Sequence, residues 1–225
     1  MAVARRHEIT RLEGFSDAVF GFALTLLVVS LEVPRSYDEL MDLMGGFLSF
    51  ACCFTLLLWI WHEHNTFFRR YGLQDGPTVV INGALLFTVL FYVYPLKFMF
   101  DSMFARLGAS PGLQQMTLPQ LARASAIYGL GFLVLFVIFA LLYRHAYLKR
   151  VELDLTPEEV FDVRIFRNHH LLSAAIGLLS IVFALGAPVI LAPIAPTLYL
   201  LMGPLHWGYG VYRARQRRNL VATQR

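Results

Sequence analysis

The 225-residue chain is 57% hydrophobic and only 15% charged, with a mean hydropathy of +0.58. Soluble domains reach about 45–50% apolar with glycine counted and carry roughly 25% charge, so a water-soluble fold could not cover this much apolar surface. The formal charge of +4 is modest and gathers at segment ends, which excludes a nucleic-acid groove and reads as membrane-orientation charge.

The N-terminus stays polar as far as Asp17 and lacks the form of a cleavable signal peptide, so the first apolar run is expected to remain as an anchor. Taken in chain order, the apolar runs predict an all-α, polytopic membrane protein with six transmembrane helices. The first covers residues 15–33 and ends at Pro34. The second covers 43–61 and closes on Trp59, Trp61, His62 and His64. The third covers 79–100, with Pro95 near its far end, and the fourth covers 122–143. Each is close to the ~20 residues that cross ~30 Å of hydrocarbon. The fifth, 170–187, stops before Pro188, and the sixth, 191–212, is interrupted by Pro193, Pro196 and Pro204. Residues 144–168 form the longest polar stretch and are expected to be a connecting segment. Thr156, Pro157 and Glu159 carry the signature of a capped helix start, which predicts a short connecting helix there. No soluble catalytic domain fits in that length.

Loop charge gives an independent orientation. With the N-terminus cytoplasmic, 15 of the 19 Lys and Arg fall on the inside. These are Arg5, Arg6 and Arg11; Arg69 and Arg70; Arg144, Lys149, Arg150, Arg164 and Arg167; and the tail arginines from Arg213 to Arg225. Only Arg35, Lys97, Arg106 and Arg123 fall outside. This bias predicts a multi-pass protein of the inner (plasma) membrane with both termini cytoplasmic.

Polar residues inside the spans are the functional candidates. Ser16 and Asp17 sit near the start of the first span, where local capping and pairing of Asp17 with Arg11 are one reading. A buried polar cluster reaching His62, His64 and Asn82 is the other. Histidines two residues apart do not share a helix face, which disfavours a metal pair, and neither a fixed metal nor a cofactor is expected. His169 and His170 read as ordinary boundary residues. Cys52 and Cys53 are adjacent in an apolar run, with no disulfide or metal spacing. Leu24, Val28 and Leu31 share one face of the first span. Such a row packs against lipid or protein, or it lines a constriction that gates by dewetting, and spacing alone does not choose. Gly129 and Gly131 read as close helix packing. No phosphate loop, HExxH or nucleophile elbow is present, so an enzyme is not expected.

The string Arg11-x-x-x-Phe15-Ser16-Asp17, with Phe20, Leu24-Thr25-Leu26-Leu27 and Glu32-Val33-Pro34, resembles the start of the TMEM175 family of potassium channels. Trp61-His62-x-His64 with Phe67 and Phe68, and Asn82 with Leu85, Leu86 and Pro95, agree with it. The resemblance covers the first 95 residues and beyond them rests on length and span count. It implies a single six-helix unit that assembles as a homotetramer, with the pore formed between subunits and lined by the first helix. Leu24 would be the main constriction, with Val28 and Leu31 as further rings. Arg11, Ser16 and Asp17 would brace the helix, with His62, His64 and Asn82 as partners. K+ and other monovalent cations would pass, with modest preference for K+ over Na+, and membrane lipid would be the remaining partner. The family often has isoleucine at the position of Leu24 and a leucine-like residue at that of Val28, so the second ring would be wider here. The alternative is a proton-coupled or other secondary cation transporter, motivated by Asp17, His62 and His64 as titratable groups. Against it, no pair of broken helices appears in matching halves.

Overall fold

A computed structural model describes residues 9–31, 33–106 and 116–223, without the side chains of Arg106 and of 214–223. Arg5, Arg6, Glu32 and Arg225 therefore lie outside the described residues, as do the side chains of Arg215, Arg217 and Arg218.

Thr10 opens the first helix. Its hydroxyl accepts from the Glu13 amide at 3.2 Å while the Glu13 carboxylate accepts from the Thr10 amide at 2.7 Å, a reciprocal cap that fixes where α1 (Arg11–Val29) begins. A short helix, α2 (Tyr37–Gly45), follows, started by Ser36, which accepts from Glu39 N. The second span was expected from residue 43, but Leu43 and Met44 belong to α2, and α3 (Phe47–Tyr71) starts only after Gly45 and Gly46. Two consecutive glycines, each a weak helix former, allow the chain to turn there although hydropathy runs on. At its other end α3 passes the expected limit at Trp61 and continues to Gly72, whose left-handed φ of 56° stops it. Hydropathy marks where a helix stops being apolar, whereas the glycine marks where it stops being a helix.

The next helices are α4 (Gly76–Arg106), α5 (Leu118–Leu148) and α6 (Pro157–Gly186). The turn between α3 and α4 is clamped by Asp75. Its carboxylate accepts from the Thr78 hydroxyl and lies 2.7 Å from His145 Nε2 on α5, with Lys149 Nζ at 3.8 Å. Partial burial works against that charge, but the Thr78 and His145 hydrogen bonds outweigh it and hold the carboxyl below its ordinary 3.8. Residues 144–168 are not the connecting segment with its own short helix that was expected. The Thr156–Glu159 capping box starts α6 itself, and nothing breaks the helix until Gly186 and Pro188, so only 149–156 remain between helices.

After α6 the chain forms a 3-10 segment (Val189–Leu201) and then α7 (Met202–Thr223). Pro193 and Pro196 explain the change, since each lacks an amide proton and clashes with the carbonyl four residues back. Ser180 on α6 donates to the Ala195 carbonyl at 3.0 Å, satisfying a backbone acceptor in this irregular stretch. The fold is all-helical, and six segments among the described residues are long and apolar enough to cross a membrane, the last being Val189–Arg213. This is a multi-pass membrane protein.

α5 is the centre of the bundle, packed on α6, α4 and the 3-10 segment. Gly129 and Gly177 set the α5–α6 approach: a Cβ on Gly129 would meet Ile181 Cγ1 at 2.7 Å and the Gly177 carbonyl at 3.2 Å. Gly131 plays the same part toward α4, where the Tyr92 ring fills the space a side chain would need. α1 leans on α3 and α4, and among the described residues α7 packs on α6 and the 3-10 segment.

Candidate functional site

α1 is two-faced. Ser16, Phe20, Ala23 and Leu27 recur at i, i+4, i+7 and i+11 and are buried against the bundle. Gly14, Ala18, Gly21, Thr25 and Val28 follow the same spacing on the opposite side and are exposed. Thr25 spends its hydroxyl proton on the Gly21 carbonyl at 2.9 Å, and Ser30 on that of Leu27 at 2.6 Å. Of the aliphatic row, Leu24 and Leu31 are half-buried on the flank, with Leu24 packed against the core, while Val28 is 52% exposed.

Near its start α1 is tied to the bundle by polar contacts. Ser16 is fully buried and donates to the Leu12 carbonyl at 2.8 Å, which leaves its oxygen free to accept from Asn82 Nδ2 on α4 at 2.9 Å. With that amide orientation, Asn82 Oδ1 accepts from His64 Nε2 on α3 at 2.8 Å. Three helices thus share one buried chain of hydrogen bonds. The His64 ring is held between Phe20 and Phe68, with centroids at 5.4 and 4.5 Å. Beside this chain, Trp61 Nε1 donates to Asp17 Oδ1 at 2.7 Å.

The structure therefore brings Ser16, His64 and Asn82 together and adds Trp61 to Asp17. Arg11 and His62 are exposed, and neither is hydrogen-bonded or ion-paired to this chain among the described residues. His62 and His64 point to different sides of α3, as a spacing of two residues requires. Trp61 was read as the close of the second span and as part of the family resemblance; a tryptophan at the end of an apolar run gives no sign of which way its N–H will turn. Among the described residues no group of three metal-ligating side chains comes together.

A second polar centre corrects the reading of His169 and His170 as boundary residues. His170 is fully buried, stacked 5.0 Å from Phe139 and 5.2 Å from Tyr143, with Glu63 Oε2 at 3.8 Å. His169 lies 4.0 Å, centroid to centroid, from His206 of α7, and His206 Nε2 is 3.0 Å from Ser173 Oγ. Because α6 begins well before its apolar part, this stretch lies deep among α3, α5 and α7. Close by, Asp162 stands between Arg70 at 3.7 Å and Arg213 at 4.0 Å, and both guanidiniums face the Phe166 ring.

Comparison with known proteins bears on the two-faced first helix and its brace. Residues 11–92, which contain both, match the family described as endosomal/lysosomal potassium channel TMEM175. A protein of Marivirga tractuosa named a potassium channel is 35% identical over 96% of this chain and 92% of its own length. A potassium channel of Chamaesiphon minutus is 29% identical over 62% of this chain and 66% of its own. Among solved structures, a variant of the potassium channel MtTMEM175, crystallised with a nanobody fusion protein, superposes with a TM-score of 0.84 at 34% identity. That superposition covers 94% of this chain and 96% of the other. A Chamaesiphon minutus homologue of the lysosomal potassium-selective channel TMEM175 superposes with a TM-score of 0.52 at 26% identity, over 83% of this chain and 95% of the other. With a relative matched from end to end, the same six-span architecture and the braced first helix inside the matched region, this chain belongs to the TMEM175 family, a family of channels rather than enzymes.

Proposed function

We propose that the chain is a potassium-permeable monovalent cation channel, conducting passively through a homotetrameric pore lined by α1. The observation that carries this reading is the division of α1 into a face fixed to the bundle and a face that none of the described residues covers. The exposed side carries Gly14, Ala18, Gly21 and Thr25 beside the larger Phe15, Phe22, Val28 and Val29, and its small residues and threonine suit contact with other copies around an aqueous axis. The relatives named potassium channels supply the ion.

In this reading Leu24 forms the main constriction and Val28 and Leu31 further rings. Four copies of a half-buried leucine on the α1 flank would narrow the axis without offering an oxygen, so an ion crossing there sheds part of its hydration shell. K+ holds its water less tightly than Na+, which favours K+ modestly. The valine ring, being smaller, discriminates less. The brace of Ser16, Asn82, His64, Asp17 and Trp61 holds the start of α1 so that the rings keep their register, while Arg11 and His62 are free to meet another subunit. Loop charge orients both termini to the cytoplasm in the inner membrane.

The test is flux in proteoliposomes. Purified tetramer passes K+ down its gradient without ATP or a counter-ion, and Leu24→Ala changes the K+/Na+ permeability ratio. A monodisperse tetramer that leaves liposomes impermeable would sink the assignment. Flux that saturates and stops when the pH gradient is collapsed at constant potential would favour the transporter instead.

A further inference from the structure

We propose that the ends of α5 and α6 form a binding site for the phosphodiester headgroup of an anionic phospholipid, built from Arg150, Arg164 and Tyr147, with Arg167 beside it.

Like charges converge here. Arg164 Nη2 donates to the Tyr147 hydroxyl at 2.6 Å, and its guanidinium carbon lies 4.9 Å from the Tyr147 ring centroid. Arg150 lies 4.7 Å from the same centroid and donates to the Tyr147 carbonyl at 3.1 Å. One aromatic ring therefore holds two guanidiniums within about a Debye length (~10 Å at 0.1 M salt) of each other. Arg167 donates only to the amide oxygen of Asn168, at 3.0 and 3.2 Å. Among the described residues, none of these three arginines has a carboxylate at ion-pair distance. Of the neighbouring cations, Lys149 is paired with Glu152 at 2.6 Å and Asp75 at 3.8 Å, and Arg70 and Arg213 with Asp162. The cation–π contact positions the guanidiniums but does not neutralise them.

The chemistry suits a phosphodiester. Each guanidinium presents planar paired N–H groups that match two phosphate oxygens. The Tyr147 oxygen already accepts from Arg164, so its own proton is available to the same anion.

Depth selects a lipid over a dissolved anion. The apolar run of α5 ends at Tyr143 and that of α6 begins at Leu171. At 1.5 Å per residue, Tyr147 sits about 6 Å beyond the first and Arg164 about 10 Å before the second. That is the headgroup layer and its edge, roughly 5–8 Å thick on each side of the hydrocarbon. Immediately below, Leu141 and Leu171 are exposed on the same two helices, a surface for the acyl chains. The proposal needs only the membrane assignment and stands whether or not the protein conducts K+.

The experiment is native mass spectrometry of the detergent-purified full chain titrated with phosphatidylglycerol or phosphatidylcholine of equal chain length. Wild type retains phosphatidylglycerol in preference, and the Arg150→Gln/Arg164→Gln pair lowers that retention about tenfold while phosphatidylcholine binding is unchanged. The Arg150→Lys/Arg164→Lys pair keeps both charges, guards against a folding artefact, and shows an intermediate loss because lysine cannot chelate two oxygens. Equal retention of the two lipids overturns the proposal, as does wild-type retention in both double variants. Displacement of phosphatidylglycerol by millimolar inorganic phosphate also overturns it, since the site would then be one for a free anion.

Discussion

Asn82 joins α1 to α3 by using both ends of its amide, so its removal affects two helices at once. Asn82→Ala leaves the His64 Nε2 proton and one side of Ser16 without partners in a buried place, which costs about 1–3 kcal/mol. A thermal melt of the detergent-solubilised protein should fall accordingly, and an unchanged melt would show that the chain of hydrogen bonds contributes nothing. Gly131→Ala tests packing instead of polarity. Its methyl would have to displace the buried Tyr92 ring, whose hydroxyl is itself bonded to the Tyr128 carbonyl, and overpacking of that kind costs about 1–3 kcal/mol. The melt of this variant should drop, whereas Gly83→Ala, where a Cβ meets nothing within 4 Å, should leave it in place. Ser16, His64 and Asn82 stand out in the sequence because polar atoms are rare in such runs. Their pairing was less legible, since it depends on how three helices are rotated about their axes, and neither Trp61 as donor nor His62 as a bystander follows from spacing.

Helix identity was legible and helix limits were not. Apolar runs located all six spans, but α3 and α6 extend well past them because capping residues and glycines decide where helices stop, and the Gly45–Gly46 turn lay hidden inside an apolar stretch. The last span shows a further consequence at this level. Among the described residues α7 packs on α6 and the 3-10 segment, and its larger apolar side chains, Leu205, Trp207, Val211 and Tyr212, are exposed. Its hold is mostly polar: His206 to Ser173, the Tyr209 hydroxyl to the Ile165 carbonyl at 3.2 Å, and Arg213 to Asp162. Asp162 is nearly buried and serves both Arg70 and Arg213, so Asp162→Asn removes the charge that joins α3, α6 and α7. Hydrogen exchange should then quicken in residues 202–213 while α5 keeps its protection. Equal quickening throughout would mean that Asp162 supports the whole bundle and not α7 alone.

For the molecule as a whole, composition and hydropathy carried the reading furthest, because a bilayer imposes its thickness on every span at once. What they left out is how neighbouring elements lock together, and the Asp75 clamp is an example. Its folded carboxyl lies below the ordinary range, so the unfolded chain binds the proton more readily. The stability it contributes is therefore present above the unfolded value and lost as pH falls through the folded one. The groups facing it are Thr78, His145 and Lys149. Wild type should melt higher than Asp75→Asn at about pH 6, and the difference should shrink as pH is lowered below about 4. A difference that persists at the lower pH would place the effect in packing and not in charge.

The Trp61–Asp17 hydrogen bond also makes the protein its own optical gauge. Three tryptophans are present, Trp59, Trp61 and Trp207, and it is Trp61 that bonds Asp17. With Trp59→Phe and Trp207→Phe in place, fluorescence comes from a single indole whose N–H rests on the first helix. Its emission would shift whenever that helix moved relative to α3, and an Asp17→Asn version would calibrate the shift. Displacement of α1 could then be followed in liposomes in real time, with no label attached and no current recorded.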